Sequence, residues 1–235
     1  MKKFFLFAAA AVAALSVNAK VVTFKDIVDK TSATTAKSSF EAAFDIDNLS
    51  VEGKANSSGT AYCAELTQIT GTTTWGVTTA KLKSDNQVYF EFKNKDNNKL
   101  VAKAWAEYIQ PYGQGMCLVI TGLNTGDQVT INLKEALNKE AAIEGATVPS
   151  DNFASTSVVL TAMGNEIRVY SRNVTPDGDG KYQDAKWKLV SVEVPGAAQG
   201  VDNVKAGEKA VKRFENGQLV IIKNGVRYNA IGVQL

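Results

Sequence analysis

The sequence predicts an all-β fold, a jelly-roll-like β-sandwich followed by a short C-terminal β-meander. Apolar stretches of strand length recur along the chain and are separated by turns rich in Gly, Asn and Asp. The chain has 4 prolines and 21% charged residues, a composition that suits an extracellular β domain. No internal repeat is detectable, which disfavours a propeller or a solenoid. These observations favour two packed antiparallel sheets.

Residues 1–19 have the pattern of a secretory signal peptide. Lys2 and Lys3 form a charged start, Phe4–Leu15 is an apolar run, and small residues precede the predicted cleavage after Ala19. The apolar run is short for a membrane span, and no later run is long enough for one. We therefore expect a secreted protein without an integral membrane segment, located in the periplasm, at the outer surface or outside the cell.

The charge balance and the histidine content exclude several classes of function. The chain has 26 basic and 24 acidic residues, and removal of Lys2 and Lys3 with the signal peptide leaves 24 of each. A neutral mature chain does not indicate a nucleic-acid partner. The sequence has no histidine, which excludes His-dependent triads, His general bases and the usual zinc sites. We expect a protein that is not an enzyme and has no catalytic cofactor.

The clearest strand signal lies between Met116 and Leu133. Met116–Thr121 is apolar on both faces, which is typical of a central strand that is covered on both sides. Gly122–Gly126 has the length and the residues of a hairpin loop. The following residues up to Leu133 alternate between apolar and polar, so we expect this segment to pair with Met116–Thr121 in a hairpin.

The other predicted elements complete a sandwich domain at about 20–195. Short helical turns around an edge strand are predicted at Phe24–Lys30 and Ser38–Ile46. Strands are predicted at Tyr62–Thr70, Gly71–Thr79, Val88–Lys93, Leu100–Ile109, Ser157–Ala162, Glu166–Ser171 and Trp187–Val194. Glu135–Ile143 has a helical composition and is predicted to form a short helix between the sheets. The apolar phase changes between Trp187 and Val190, which predicts a β-bulge near the start of the last strand.

The C-terminal part of the chain is predicted to form a separate unit. Residues 196–207 are small and low in apolar bulk, which is typical of a linker. Residues 208–235 form a β tail with turns at Glu215–Gly217 and Asn224–Gly225, and an Asn-Gly pair is a strong signal for a two-residue hairpin. A meander of this length is marginally stable alone.

The motifs ENGQLVIIKNG and RYNAIG in this tail resemble the C-terminal segments of secreted proteins of Bacteroidetes-type bacteria. In that family such segments act as sorting signals for type IX secretion or are remnants of them. The chain stops at Leu235 without the later Gly-x-Tyr and basic elements, so the resemblance implies a truncated sorting-like or docking-like tail. The stretches ITGLNTGDQVTINLK and WKLVSVEV are more loosely similar to jelly-roll modules that precede such tails, some of which bind carbohydrate.

Trp105 is the leading candidate for ligand binding. In a strand at Leu100–Ile109 it would share one face with Lys103 and Glu107, and Tyr112 follows in a Pro/Gly loop. An aromatic ring between two charged side chains is typical of a platform on which a sugar stacks. The alternative is a tryptophan that is buried in the second layer of the sandwich or under the tail.

The stretch TPDGDGKYQD has the composition of half an oxygen-rich calcium loop. Asp177, Asp179 and Asp184 would supply carboxylate ligands to a structural calcium ion. No glutamate stands where an EF-hand places its bidentate ligand. The alternative, an Asp/Gly turn between two strands, needs no ion and is favoured.

Cys63 and Cys117 are the two cysteines of a chain that is bound for an oxidising compartment. A disulfide between them would close a long loop and stabilise the fold by roughly 4 kcal/mol. The alternative is two thiols that are buried as small hydrophobic groups. The sequence leaves both alternatives open.

Together these features favour a non-catalytic binding module at or beyond the outer membrane, with a glycan as the leading ligand class. The alternative is a structural or adhesive subunit that binds another surface protein. A secreted glycan-active hydrolase ranks third, since Glu91, Glu107, Glu166 and Glu193 are scattered along the chain. A solvated aromatic strip would support the first function, an unpaired edge strand the second, and two convergent carboxylates the third.

Overall fold

The computed structural model describes residues 19–69, 78–83, 87–92, 100–150, 153–195, 211–215, 218–223, 226–229 and 235. The chain divides into two units, Met1–Gly196 and Ala197–Leu235. This boundary falls where the sequence predicts the linker to begin. The linker itself, and most of the predicted strand at Gly71–Thr79, lie outside the described residues.

The first unit consists mainly of short strands. Its helical elements, as far as the structure describes them, are α1 (Ala33–Ala43) and a 3-10 turn (Gly113–Gly115). Its strands are β1 (Lys20–Thr23), β2 (Phe44–Asp47), β3 (Leu49–Ala55), β4 (Tyr62–Gln68), β5 (Thr78–Leu82), β6 (Val88–Phe92), β7 (Leu100–Ala104), β8 (Ile109–Pro111), β9 (Met116–Thr121), β10 (Gln128–Leu133), β11 (Ala141–Glu144), β12 (Ala146–Thr147), β13 (Ser157–Ala162), β14 (Glu166–Pro176), β15 (Tyr182–Asp184) and β16 (Leu189–Val194). Neither of these helical segments is long and apolar enough to cross a membrane.

These strands form two sheets, and all of the described pairings are antiparallel. Sheet A has the order β12-β13-β10-β16-β8-β7-β4-β3, with β1 also paired to β16. Sheet B has the order β11-β14-β9-β6-β5-β2, with β15 also paired to β14. A continuous buried core joins Leu66 and Ile131 of sheet A to Leu118 and Ile167 of sheet B. The predicted all-β sandwich is confirmed, and the jelly-roll connectivity stays a prediction.

The helix α1 overlaps the helical turn predicted at Ser38–Ile46 but begins at Ala33 and ends at Ala43, and the turn predicted at Phe24–Lys30 is not helical. The helix begins with a capping box, in which Ser32 Oγ accepts from the backbone N–H of Thr35 (3.1 Å) and Thr35 Oγ1 accepts from that of Ser32 (3.0 Å). Phe40 is fully buried and stacks on Phe44, with 4.3 Å between the ring centroids. The helix thus adds aromatic packing to the core of the sandwich.

The strand β9 is the central strand that the sequence predicts. It lies between β14 and β6 in sheet B, and five of its six residues are buried. Leu118 belongs to the main core. Cys117 and Val119 lie on the opposite face, where they pack with Tyr89 and Tyr170. The strand β9 is apolar on both faces because one face packs in the main core and the other is covered by side chains on the outer side of sheet B.

The predicted hairpin between β9 and β10 is wrong. The strand β10 pairs with β13 and β16 in sheet A, so Gly122–Gly126 connects the two sheets. Facing sheets lie about 10 Å apart, and five residues at about 3.3 Å each cover that distance. The alternation of β10 suits sheet A, in which Val129 and Ile131 are buried in the core and the intervening Thr130 is partly exposed.

The predicted helix at Glu135–Ile143 is also wrong. The backbone N–H of Leu137 donates to the carbonyl of Phe153 (2.7 Å), and the chain then enters β11, which pairs with β14 at the edge of sheet B. Ala141 and Ala142 are buried by this pairing. Long-range strand pairing outweighs the helix propensity of the segment.

The β-bulge predicted near the start of the last strand is confirmed. Asn132 lies opposite Ser191 and Leu133 lies opposite Leu189, so Val190 is the extra residue. The strand β16 begins at Leu189, later than predicted. The bulge allows apolar residues on both sides of it to face the core.

The second unit is a three-stranded antiparallel meander. Its strands are β17 (Val211–Glu215), β18 (Gln218–Lys223) and β19 (Val226–Asn229). Glu215 lies opposite Gln218, and Lys223 lies opposite Val226, as two-residue turns require. The predicted Asn224–Gly225 turn lies outside the described residues.

We expect deletion of Glu208–Leu235 to leave the sandwich folded. The first unit has its own buried core, so its melting temperature should change by no more than about 2 °C. Differential scanning calorimetry of the mature chain with and without this segment measures the change. A fall of more than about 5 °C would show that both units unfold cooperatively.

Candidate functional site

A turn between β7 and β8 carries the candidate tryptophan. The strand predicted at Leu100–Ile109 is therefore interrupted, and its two parts pair with each other as a hairpin. The backbone N–H of Trp105 donates to the carbonyl of Tyr108 (2.8 Å), which closes the turn. The carbonyl of Ala106 accepts from the N–H of Asp26 (2.6 Å), which holds the turn against the N-terminal segment.

A second loop, between β3 and β4, lies beside this turn. Asn56 Oδ1 accepts from the backbone N–H groups of Thr60 (2.8 Å) and Ala61 (3.2 Å), which fixes the shape of the loop. Tyr62 begins β4, and β4 pairs with β7. The loop and the turn at Trp105 therefore meet at the same end of sheet A.

The two loops border a cavity of about 320 Å³, which we call the aromatic cavity. Tyr62, Trp105 and Tyr108 supply its three aromatic rings, and each of them is partly buried. The polar lining residues are Lys30, Asn56, Glu107 and Lys134. Aromatic side chains with a few polar groups, in a cavity of this volume, are typical of small-ligand sites.

The side chain of Trp105 is neither a core residue nor a fully exposed ring. Its Nε1 is buried and has no hydrogen-bond partner among the described residues. Because Nε1 is shielded, it does not donate to a ligand in the cavity. This arrangement suits stacking better than hydrogen bonding.

An ion pair between Glu107 and Lys134 lies in the lining of the aromatic cavity. The hydrogen bond from Lys134 lowers the pKa of Glu107, and the same bond raises the pKa of Lys134, so both groups are charged at neutral pH. Lys134 Nζ lies 5.1 Å from the ring centroid of Tyr108, and Lys188 Nζ lies 5.6 Å from it. Burial raises the pKa of Tyr108, so its hydroxyl group remains a donor.

The structure brings together two of the four residues predicted for ligand binding. Trp105 and Glu107 line the cavity, whereas Lys103 and Tyr112 do not. Lys103 pairs with Glu65 (3.3 Å), and its Nζ lies 5.5 Å from the ring centroid of Tyr112. The prediction of a shared face is wrong because the turn after β7 ends the strand alternation.

Sequence reasoning missed Tyr62, Tyr108, Lys30 and Lys134 as members of the site. They come from four separate parts of the chain, and the pairing of β4 with β7 brings the first two together. The position of Tyr108 next to Glu107 was a usable signal, because a turn at Trp105 places both residues in one loop. The other members depend on contacts between segments that are distant in the sequence.

The predicted calcium loop forms the tip of the β14–β15 hairpin. Asp177 Oδ1 accepts from the backbone N–H groups of Asp179 (3.0 Å) and Lys181 (2.8 Å), as in an Asx turn. Asp184 pairs with Lys186 (3.4 Å). In the part of the chain that the structure describes, no group of three or more His, Cys, Asp or Glu side chains is placed to hold a metal ion. Asp177 thus forms an Asx turn at this tip, and the calcium site stays a prediction.

Two of the scattered glutamates do approach each other, on the outer side of sheet B. Arg168 lies between them and pairs with Glu166 (2.5 Å) and Glu91 (3.7 Å). Glu91 is itself only 8% exposed. An arginine occupies the space between the carboxylates that a scissile glycosidic bond would need.

The structure contains two buried thiols and no disulfide between Cys63 and Cys117. Leu66 is a core residue of β4, and Cys63, three residues before it, lies on the opposite face of the strand, which is the outer face of sheet A. Cys117 lies on the outer face of sheet B. The thickness of the sandwich separates them, which is incompatible with a disulfide. Burial raises the pKa of Cys63 to about 11, so its thiol is unreactive at neutral pH.

We expect neither thiol to react with a thiol reagent in the folded protein, and both to react after denaturation. The absorbance of the thiolate that a chromogenic disulfide reagent releases measures the number of reactive thiols per chain. A Cys63→Ser variant should lose half of the signal, which serves as the control. Recovery of a linked Cys63–Cys117 peptide pair from the protein under non-reducing conditions would contradict this expectation.

The candidate site is thus a cavity at one end of sheet A, lined by three aromatic residues and by the Glu107–Lys134 ion pair, whose two charges cancel. Its lining comes from two loops, the N-terminal segment and the end of β10. Comparison of the chain with protein-family models, curated proteins and solved structures found no match.

Proposed function

We propose that this protein is an exported, non-catalytic glycan-binding protein and that the aromatic cavity is its binding site. The observation that carries the proposal is the convergence of Tyr62, Trp105 and Tyr108 in one cavity. The apolar face of a sugar ring stacks on an aromatic ring, while its hydroxyl groups need hydrogen-bond partners nearby. The cavity offers both.

The polar lining supports a ligand with many hydroxyl groups. Glu107 accepts hydrogen bonds, Lys30 and Lys134 donate them, and the Tyr108 hydroxyl does both. Because Glu107 and Lys134 compensate each other's charge, the pair does not demand a ligand of either sign. Sugar hydroxyl groups, which donate and accept, match this set.

The same lining favours binding over glycoside hydrolysis. Most glycosidases place two carboxyl groups about 5 to 10 Å apart across the scissile bond. The described lining of the cavity has one carboxylate, Glu107, and it is paired with Lys134. The described lining thus offers no second carboxyl group for this mechanism.

The two ends of the chain support a location at or beyond the outer membrane. Residues 1–19 have the pattern of a signal peptide. The tail at 208–235 resembles the type IX sorting segments of Bacteroidetes-type secreted proteins. An exported sandwich with a ligand cavity and a sorting-like or docking-like tail is a reasonable design for presenting a binding site outside the cell.

A glycan array probed with the mature chain, residues 20–235, tests this function. We expect binding to a limited set of glycans, and a weaker signal for the Tyr62→Ala and Tyr108→Ala variants. Tyr112→Ala is the matched control, because Tyr112 is an aromatic residue just after β8 that does not line the cavity. A mature protein that binds no glycan, or one whose binding survives both cavity variants, would contradict the proposal.

A further inference from the structure

The strand β1 has one paired edge and one open edge among the described residues. It pairs with β16, with Val21 opposite Glu193 and Thr23 opposite Ser191. The N–H of Phe24 donates to the carbonyl of Val190 (2.7 Å), which sets the phase of the ladder. In an antiparallel pair only alternate residues exchange hydrogen bonds with the partner. The N–H and C=O groups of Val21 and Thr23 therefore point away from β16.

A groove of about 530 Å³ lies along this strand, and we call it the β1 groove. Val22, Ile27 and Leu82 give it an apolar floor. Val21 also lines it and is 56% exposed. The groove shares no lining residue with the aromatic cavity.

Two lysines and, among the residues that the structure describes, no carboxylate line the β1 groove. They are Lys20 and Lys83. Lys83 Nζ donates to the backbone carbonyl of Glu41 (3.0 Å), which holds the ammonium group in place. A lysine ammonium has three donors, so two of them remain for a ligand. The groove thus favours a partner that brings negative charge.

We propose that β1 and its groove bind an extended strand of a partner protein, with apolar residues at alternate positions and at least one acidic residue. The outward backbone groups of Val21 and Thr23 would add the strand to sheet A by main-chain hydrogen bonds. Alternate side chains of an added strand fall on one face, here over Val22 and Leu82. The acidic residue would pair with Lys83.

Selection of peptides from a random display library against the mature protein tests the inference. We expect the enriched peptides to alternate apolar residues and to carry an acidic residue. Val21→Pro should weaken a selected synthetic peptide at least about tenfold, because proline removes the outward N–H at an edge position. Val21→Thr, which keeps the N–H, is the matched control and should bind nearly as well as the natural chain.

Two further readouts separate strand addition from contact with the groove alone. The bound peptide should slow amide hydrogen exchange at Val21 and Thr23. Lys83→Glu should weaken the acidic peptide but not the same peptide with its acidic residue replaced by glutamine. Equal affinity for the Val21→Pro variant, or no enriched peptide, would overturn the proposal. If the protein self-associates and Val21→Pro abolishes this self-association, the edge of β1 binds a second copy of the chain. That result would overturn the proposal of a partner protein.

Discussion

Replacing Trp105 with alanine is expected to weaken glycan binding strongly while the protein remains folded. Trp105 lines the aromatic cavity with Tyr62 and Tyr108, so alanine removes one of its aromatic rings. A central aromatic contact contributes about 2 kcal/mol or more to binding. That loss corresponds to an increase in Kd of roughly thirtyfold or more.

The same substitution should reduce stability by an intermediate amount. A fully buried aromatic residue loses about 3–5 kcal/mol when it is replaced by alanine. Trp105 is only partly buried, and we expect its loss to lower the free energy of unfolding by about 1–3 kcal/mol. Calorimetric titration with an array-selected glycan and urea denaturation measure the two effects on one variant.

Trp105→Phe is the matched variant, because it keeps an aromatic ring at the same position. We expect it to recover most of the affinity that alanine loses. An unchanged Kd for Trp105→Ala would remove Trp105 from the site. A stability loss as large as that of a core residue, with binding intact, would make Trp105 a structural residue.

The fold class was predictable because strand alternation is a local property of the sequence. Met116–Thr121 and the segment after it have clear period-2 patterns, and both are strands. The partner of each strand was not predictable from these patterns. Gly122–Gly126 is long enough for a hairpin or for a connection between sheets, and the choice depends on where β14 pairs.

The candidate site was predictable only in part, and Trp105 shows why. Its aromatic ring and its charged neighbour Glu107 are local features, and both residues line the cavity. The turn that contains them has Ala106 and Glu107 at its centre, residues that carry no turn signal. The apolar alternation of the sequence continues through this turn, although β7 has already ended. Tyr62 joins the site only through strand pairing.

The two cysteines show the same limit for pairs of residues. The strand phase of Cys63 indicates which neighbours share its face, but it does not indicate which sheet the strand joins. The structure places Cys63 in sheet A and Cys117 in sheet B, each on an outer face. The distance between two residues in a sandwich depends on which sheet each of their strands joins, and that depends on pairing between distant segments of the chain.

Trp187→Ala is expected to have the largest effect on stability, a loss of about 3–5 kcal/mol. Trp187 is 2% exposed and lies in the main core, just before the bulge at Val190. Its indole Nε1 has no hydrogen-bond partner in the described part of the chain, so the loss comes from packing and from the cavity that remains. A domain of this kind is stable by only about 5–15 kcal/mol in total.

Urea denaturation of Trp187→Ala, with Met163→Ala as the exposed control, measures this effect. Met163 is 65% exposed, so its replacement should change the free energy of unfolding by no more than about 0.5 kcal/mol. The bulge turns residues on both sides of Val190 toward the core, and the burial of Trp187 depends on it. A loss below about 1 kcal/mol for Trp187→Ala would mean that the indole is not a core group. The register of β16 against β10 would then have to differ by one residue, with Trp187 on the solvated face of sheet A.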